Sequence, residues 1–372
     1  MTAPDLDQSR PNGSLHPYGE GELFGKGKHL LSVSQFDRPT LVDLFTLADT
    51  VAPIAQRQLG RGDRQLATGQ TVCSVLDGAV LGSLFFEPST RTRLSFESAF
   101  LRLGGEVTTT TGFTFSSMAK GESIEDTSRV VSGYSDVLVV RHPDEGSVAQ
   151  FAAASVVPVI NAGDGAGEHP SQALLDLYTL EKELGQRGGT VDGSTIAVVG
   201  DLRHGRTVHS LLKLLTVYRD VSVRLFAPES LELPDETARH LTSAGHRLTV
   251  CDTVVEALRG ADAVYTTRVQ RERITGEVPA SIQGNLIDRS VLAEANALDI
   301  VIMHPLPRDS RHDAYDLSSD VDDLPGLAIF HQTDNGVNVR MAIFLTALGC
   351  SPEMVRVTTK QRPWDATLHW NR

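Results

Sequence analysis

The sequence predicts an α/β protein of two domains, each a parallel sheet flanked by helices, the two joined by bridging helices. Three observations point there. Short runs rich in Val and Ile recur without the polar alternation of a sheet wetted on one face. Amphipathic segments of helix length separate those runs. The chain has 372 residues with 40% hydrophobic content, enough for two cores of ordinary size.

Along the chain, the stretch 1–28, MTAPDLDQSRPNGSLHPYGEGELFGKGK, is polar and rich in Gly and Pro, and it predicts a loose tail rather than a signal peptide or an anchor. Strands are predicted at 78–86, 136–141, 156–161, 195–200, 221–226, 262–267 and 299–303. Helical spacing falls between them at 92–103, 148–154, 170–184, 206–218 and 234–244. The break ELGQRGGTVDGS at 183–194 separates two such series, so the helix before it is expected to bridge them. A last helix, 336–349, should pack back on one domain; the tail TTKQRPWDATLHWNR carries no signal. The expected division is a tail over 1–28, one domain over 29–170 plus 336–372, and a second over 171–335.

Composition excludes several function classes. A formal net charge of −13 gives no general affinity for anions, so nucleic acid is not an expected partner and any anion site must be built locally. No run approaches the ~18 apolar residues of a membrane span. Cys73, Cys251 and Cys350 are far apart and share no metal-ligand spacing, which predicts reduced thiols, no metal site and a cytoplasmic location.

In open α/β sheets, ligands bind beyond the carboxyl ends of the strands. The first such junction reads EPSTRTR, residues 87–93, after an apolar strand. Pro88 and Ser89 stop the strand, and Ser89 or Thr90 suits the N-cap of the next helix. Backbone N–H groups, hydroxyls and Arg91 converge there, a way to hold phosphate without a metal. A lone Ser-Thr-Arg would serve equally as an ordinary cap, but six polar residues in seven after so apolar a strand favour a ligand site.

Other junctions repeat the pattern. Arg141 ends one strand; His169 suits an N-cap before Pro170 and shares a helix face with Gln172. Arg206 opens a helix after a strand, and Arg268 and Gln270 stand two apart in YTTRVQRER. Two such arginines with a glutamine, each at a strand edge, suggest a seat for a second, carboxylate-bearing ligand. A dinucleotide fold is disfavoured, because Gly200 is followed by Asp201 and Leu202 and the next glycine is Gly205, which breaks the G-x-G-x-x-G spacing.

From about residue 29 to about residue 349 the chain resembles the aspartate carbamoyltransferase family. FFEPSTRTRLSFESAFLRLGG resembles the carbamoyl phosphate motif common to all carbamoyltransferases, and SSMAKGES a mobile loop whose serine and lysine, here Ser116 and Lys120, enter a neighbouring subunit's site. VVRHP, HPSQALLD and GDLRHGRTVHSLL follow in order, and TRVQRER and HPLPR resemble the acceptor-side motifs of the aspartate branch. The ornithine branch instead has a Ser-Met-Gly loop and a His-Cys-Leu-Pro segment; here position 305 is Pro. The chain departs from the family in its N-terminal tail, in extra residues around GRGDRQLATGQTVCSVLD and in its C-terminal extension.

The resemblance implies that Ser89, Thr90, Arg91 and Thr92 hold the phosphate of carbamoyl phosphate, with Arg141, Gln172 and the neighbour's Ser116 and Lys120 completing the cage. It implies that Thr92, Arg141 and His169 face the carbamoyl oxygen, and that Lys120, Arg206, Arg268 and Gln270 serve the carboxylates of L-aspartate. Leu306 and Pro307 would present a backbone carbonyl across a cis bond. No cofactor is implied. The implied partners are the two substrates and two further copies in a homotrimer with shared sites, with larger assemblies containing regulatory or dihydroorotase chains left open. Two alternatives remain at this stage: a different amine acceptor, or an inactive homologue with an assembly or regulatory role.

Overall fold

The structure, a computed structural model, describes residues 22–55, 71–113, 116–270, 286–309 and 316–361. In chain order the elements are α1 (Arg38–Ala55), β1 (Thr71–Cys73), β2 (Val80–Phe85), α2 (Thr90–Arg102), β3 (Glu106–Thr111), α3 (Ile124–Ser132), β4 (Val137–His142), α4 (Ser147–Ala154), β5 (Val159–Asp164) and α5 (Pro170–Gln186). The second series is β6 (Thr195–Gly200), α6 (Arg206–Leu215), β7 (Ser222–Phe226), α7 (Asp235–Ser243), β8 (Arg247–Val250), α8 (Val254–Leu258), β9 (Ala263–Thr267), α9 (Arg289–Glu294) and β10 (Val301–Met303). The chain closes with α10 (Ile329–Leu348), α11 (Pro352–Thr358) and β11 (Thr359–Gln361).

Two parallel sheets carry the architecture, in the orders β3-β2-β4-β5 and β10-β9-β6-β7-β8. Central strands such as β4 (VLVVRH) and β9 (AVYTT) are buried at every position, because helices cover both sheet faces. That double burial is why their sequences show unbroken apolar runs. The edge strands β3 and β8 read EVTTTT and RLTV and are largely exposed, so no apolar run marks them and both escape a periodicity reading. β1 pairs antiparallel with β11, three residues against three. β5 begins at Val159 rather than 156: Val156 is exposed, and Pro158 has no N–H for the ladder, although its carbonyl accepts from Leu138 N–H.

The long helix α5 joins the halves as expected. It packs on α6 and α10 and touches β5 of the first sheet and β10 of the second. Twelve of its seventeen residues are buried, so it reads as a helix enclosed on all sides rather than a surface helix. α10 packs on α1, α2 and α5. It starts at Ile329, one turn and more before the expected 336, because Gln332 and Asn335 find buried partners on α5 that outweigh their polarity.

Residues 1–21 of the expected tail and most of the extra stretch before β2 lie outside the described residues. Residues 22–28 are not loose: Phe24 is buried against Phe36, and Gly27 N–H donates to Ala347 O. Among the described residues no helix is long and apolar enough to cross a membrane.

Candidate active site

The strand-to-helix junctions of both sheets open on one cleft, where a cavity of about 540 Å³ is bounded by Glu87, Pro143 and Gly165 on one side and Arg203, His204 and His209 on the other. Ser89 is the N-cap of α2, in extended geometry, and its hydroxyl makes no capping hydrogen bond. The expectation for Ser89 as cap therefore holds for the backbone, with the hydroxyl left for other use. Thr90 and Arg91 are exposed at the first turn, and Thr92 is buried. Although Arg91 is exposed as a residue, its guanidinium is held below the usual arginine range by partial desolvation and then by the facing charge of Arg268, so the first sheet's phosphate-type loop and the second sheet's β9 edge lie within electrostatic reach.

Arg141 and Arg206 meet from opposite halves. Arg141 Nε stands 3.0 Å from Glu87 Oε2, and one Nη of Arg206 stands 3.7 Å from the same oxygen. Arg206 also donates to Gly165 O at 2.6 Å, and Arg141 to Ala162 O at 3.4 Å. Gly163, at φ 126°, is the residue they pass: a Cβ there would lie 3.1 Å from Arg141 and 3.4 Å from Arg206. Only glycine keeps both the backbone angle and the space.

His169 caps α5 and is 3% exposed. Its backbone N–H donates to Ser210 Oγ on α6, and Ser171 Oγ lies 3.4 Å from its Nδ1. Burial pushes its pKa well below the ordinary histidine value, and Arg206, Arg141 and Arg340 add to the shift. The imidazole is therefore neutral at pH 7. With the Ser171 hydroxyl 3.4 Å from Nδ1, the tautomer in which that hydroxyl donates leaves Nε2–H as a donor.

Gln172 donates from Nε2 to Asp176 Oδ1 at 2.8 Å. Arg268 donates to Val269 O, and the backbone of Gln270 is fixed by a 3.0 Å bond to Asp201 Oδ2. Asp201 is fully buried and also accepts from His204 N–H, so one carboxylate ties the end of β9 to the loop that delivers Arg206. Leu306 has φ 59° and a cis bond to Pro307, and its N–H donates to His304 Nδ1 at 2.8 Å. His304 then carries its proton on Nε2 and donates to Asp316 Oδ2 at 3.2 Å.

Of the residues singled out from sequence, Arg91 and Arg268 feel one another's charge, and Arg141 and Arg206 meet at Glu87 and act together on His169. Ser116 and Lys120 belong to a separate turn: Ser116 Oγ accepts from Met118 N–H, and the Lys120 side chain is exposed. Sequence reasoning passed over Glu87, Asp176 and Asp201. Glu87 stood inside EPSTRTR, and Asp176 stood four residues after Gln172 on a predicted helix, a spacing that puts them on one face.

A cleft between two parallel α/β sheets, lined by guanidiniums from both and holding a neutral histidine, defines a group transferase for two anionic substrates. Residues 28–182 match the carbamoyl-P binding domain of the aspartate/ornithine carbamoyltransferases and residues 192–347 match their Asp/Orn binding domain. The chain belongs to that family. It is 52% identical over 324 residues to the aspartate carbamoyltransferase catalytic subunit of Dichelobacter nodosus, covering 87% of this chain and 90% of that one. It is 47% identical to the corresponding subunit of Cellvibrio japonicus, covering 93% and 99%. Its fold resembles the crystal structure of Trypanosoma cruzi aspartate transcarbamoylase in complex with carbamoyl phosphate and aspartate, with TM-score 0.74, 38% identity, and 87% and 97% of the two chains covered.

Proposed function

We propose that this protein transfers the carbamoyl group of carbamoyl phosphate to the amine of L-aspartate, giving N-carbamoyl-L-aspartate and phosphate in pyrimidine synthesis. The relatives named above, and the solved neighbour with both substrates bound, support this reaction. The observation that carries it in this chain is the neutral, buried His169 set among guanidiniums from both halves.

In the reaction the aspartate nitrogen attacks the carbamoyl carbon. The carbonyl oxygen gains charge in a tetrahedral intermediate, then the bond to the phosphate oxygen breaks and phosphate leaves with the proton shed by the amine. Ser89, Thr90, Arg91 and Thr92 at the start of α2 hold the phosphate, with Arg141 and Gln172 completing the cage; Leu306, before Pro307, contacts carbamoyl phosphate through its backbone carbonyl. Thr92, Arg141 and the Nε2–H of His169 donate to the developing oxyanion. Arg206, Arg268 and Gln270 grip the carboxylates so that the amine is oriented before attack. Both substrates are polyanions, and taking them out of water calls for paired cations.

Ser116 and Lys120 act in this scheme from a neighbouring copy of the chain in a homotrimer, which fits an exposed Lys120 on a turn of its own. The domain that holds carbamoyl phosphate is 29–170 with 336–372, supported by the packing of α10 on α1 and α2, and the aspartate domain is 171–335. A cytoplasmic location accompanies three free thiols, Cys73, Cys251 and Cys350. The deciding experiment is a carbamoylation assay over a panel of amines. Aspartate should be strongly preferred; preference for another amine would reassign the acceptor, and no turnover with any amine would leave only a binding role.

A further inference from the structure

Phe113 stands at the head of the turn that bears Ser116 and Lys120, and the scheme above gives it no task. Its ring is 5.4 Å from the ring of Phe86 and meets the imidazole of His142 edge to face, at 5.3 Å and 74°. Phe86 in turn stacks on Phe151 of α4 at 5.8 Å and stands 5.6 Å from His142. Phe113 therefore completes a cluster of four rings, in which the other three are buried and Phe113 is half-buried. Such ring pairs prefer defined angles, so they fix orientation as well as burying area.

The cluster is built on the strand ends that carry this chain's own site. Phe86 immediately precedes Glu87, His142 immediately follows Arg141, and Phe86 N–H donates to Arg141 O at 2.9 Å. His142 Nδ1 accepts the N–H of Asp144 at 3.1 Å, while its buried Nε2 has no hydrogen-bond partner among the described residues. On that side the imidazole is held by aromatic packing instead. A ladder of short hydrogen bonds then leads from Phe113 to the lysine: Ser116 N–H donates to Phe113 O, Ala119 N–H to Ser116 O and Gly121 N–H to Met118 O, each at 3.0 Å. Met118 packs on the same apolar cluster as Phe113. Two apolar pegs thus seat the turn, and Lys120 is left exposed. A lysine carries its charge on a long flexible stem, so the place where that stem leaves the backbone decides what the ammonium can reach at little entropic cost.

We propose that Phe113 is the positioning residue for the lysine that each chain lends to its neighbour: its ring, keyed between Phe86 and His142, sets the point from which Lys120 departs. Loss of the ring is then felt in the neighbouring site and not in the chain's own. The proposal rests on the shared sites proposed above.

Hybrid trimers separate the two effects. In a reassembled mixture of Arg91→Ala and Lys120→Ala chains, an intact site takes its pocket from the Lys120→Ala chain and its lysine from the Arg91→Ala chain. Phe113→Ala is added to one parent at a time. On the parent that lends the lysine it should lower the recovered turnover about tenfold, and on the parent that supplies the pocket the recovered turnover should stay within about twofold. Equal losses in the two placements would make Phe113 a structural residue only, a loss confined to the pocket parent would assign it to that chain's own Arg141, and no loss in either would leave the ring without a role; each overturns the proposal. Should Phe113→Ala not fold, Phe113→Leu, which keeps an apolar peg without the ring, must show the same asymmetry at several-fold, and a symmetric or absent effect there overturns it too. If the starting mixture regains no activity after proven exchange of subunits, the shared-site reading falls and this role with it; a normal recovery with symmetric effects of the Phe113 variants sinks this role alone.

Discussion

Glu87, just beyond the end of β2, reaches across the cleft to Arg206 at the start of α6, with Oε2 3.7 Å from the guanidinium, while the same oxygen holds Arg141 at 3.0 Å. One carboxylate thus sets the spacing of two cations from opposite halves. Glu87→Gln should lower turnover about tenfold and raise the aspartate KM, since an arginine no longer aimed must be ordered by the substrate itself. Steady-state kinetics with aspartate varied check this. Tighter aspartate binding in the variant would instead show Glu87 to be a competitor for the cations.

His169→Ala should reduce turnover by roughly the ~10²-fold typical of losing one oxyanion donor, with phosphate affinity nearly intact. Because burial and three guanidiniums hold its pKa well below the ordinary value, the ring should remain neutral at pH 6.5 in a nitrogen-15 spectrum, where a free histidine is half protonated. Equal loss of turnover and phosphate binding would mark His169 as a structural cap only.

Asp176 offers a test in pH. Burial raises its pKa to about 6 from 3.8, so its contribution to stability is fully present below 3.8 and is lost as pH rises through about 6. Relative to Asp176→Asn, which has no carboxyl to titrate, the chain should therefore lose stability to urea as pH rises from about 4 to about 6, and equal pH slopes for the two would contradict it. Arg340 and Tyr265 are the ionisable groups that act on this carboxylate.

Two inactive variants, Lys120→Ala and Arg91→Ala, dissociated, mixed equally and reassembled, should regain activity if sites are shared in a closed ring of three. About three quarters of randomly mixed trimers contain both parents, and each of these has one intact site of three, so roughly a quarter of full activity returns. No recovery after proven exchange of subunits would place each site within one chain.

What the chain reveals locally and what it reveals only when folded divide along the range of the interactions. The central strands β2, β4, β6 and β9 were legible because burial on both faces writes itself as a local apolar run. The rule that ligands gather at strand ends likewise marks Ser89 through Thr92, Arg141, His169, Gln172, Arg206, Arg268 and Gln270 in the sequence. β3 and β8 were not legible, since an exposed edge strand borrows its hydrogen bonds from a neighbour and needs no apolar signature of its own.

The sequence by itself determined the α/β class, the order of the central strands and helices along the chain, and the residue types offered at each junction, because these depend on the period and chemistry of adjacent residues. Tertiary structure alone decided how those groups are spaced, oriented and charged. Tyr265 and Gln332 lie 89 and 156 residues from the Asp176 they cage, and Glu87 meets an arginine from the other half of the chain. The neutrality of His169 likewise arises from burial beneath arginines contributed by β4, α6 and α10. Such contacts join residues remote in the chain, and the energy that sets a side chain's direction or proton depends on what folding brings within a few ångströms of it.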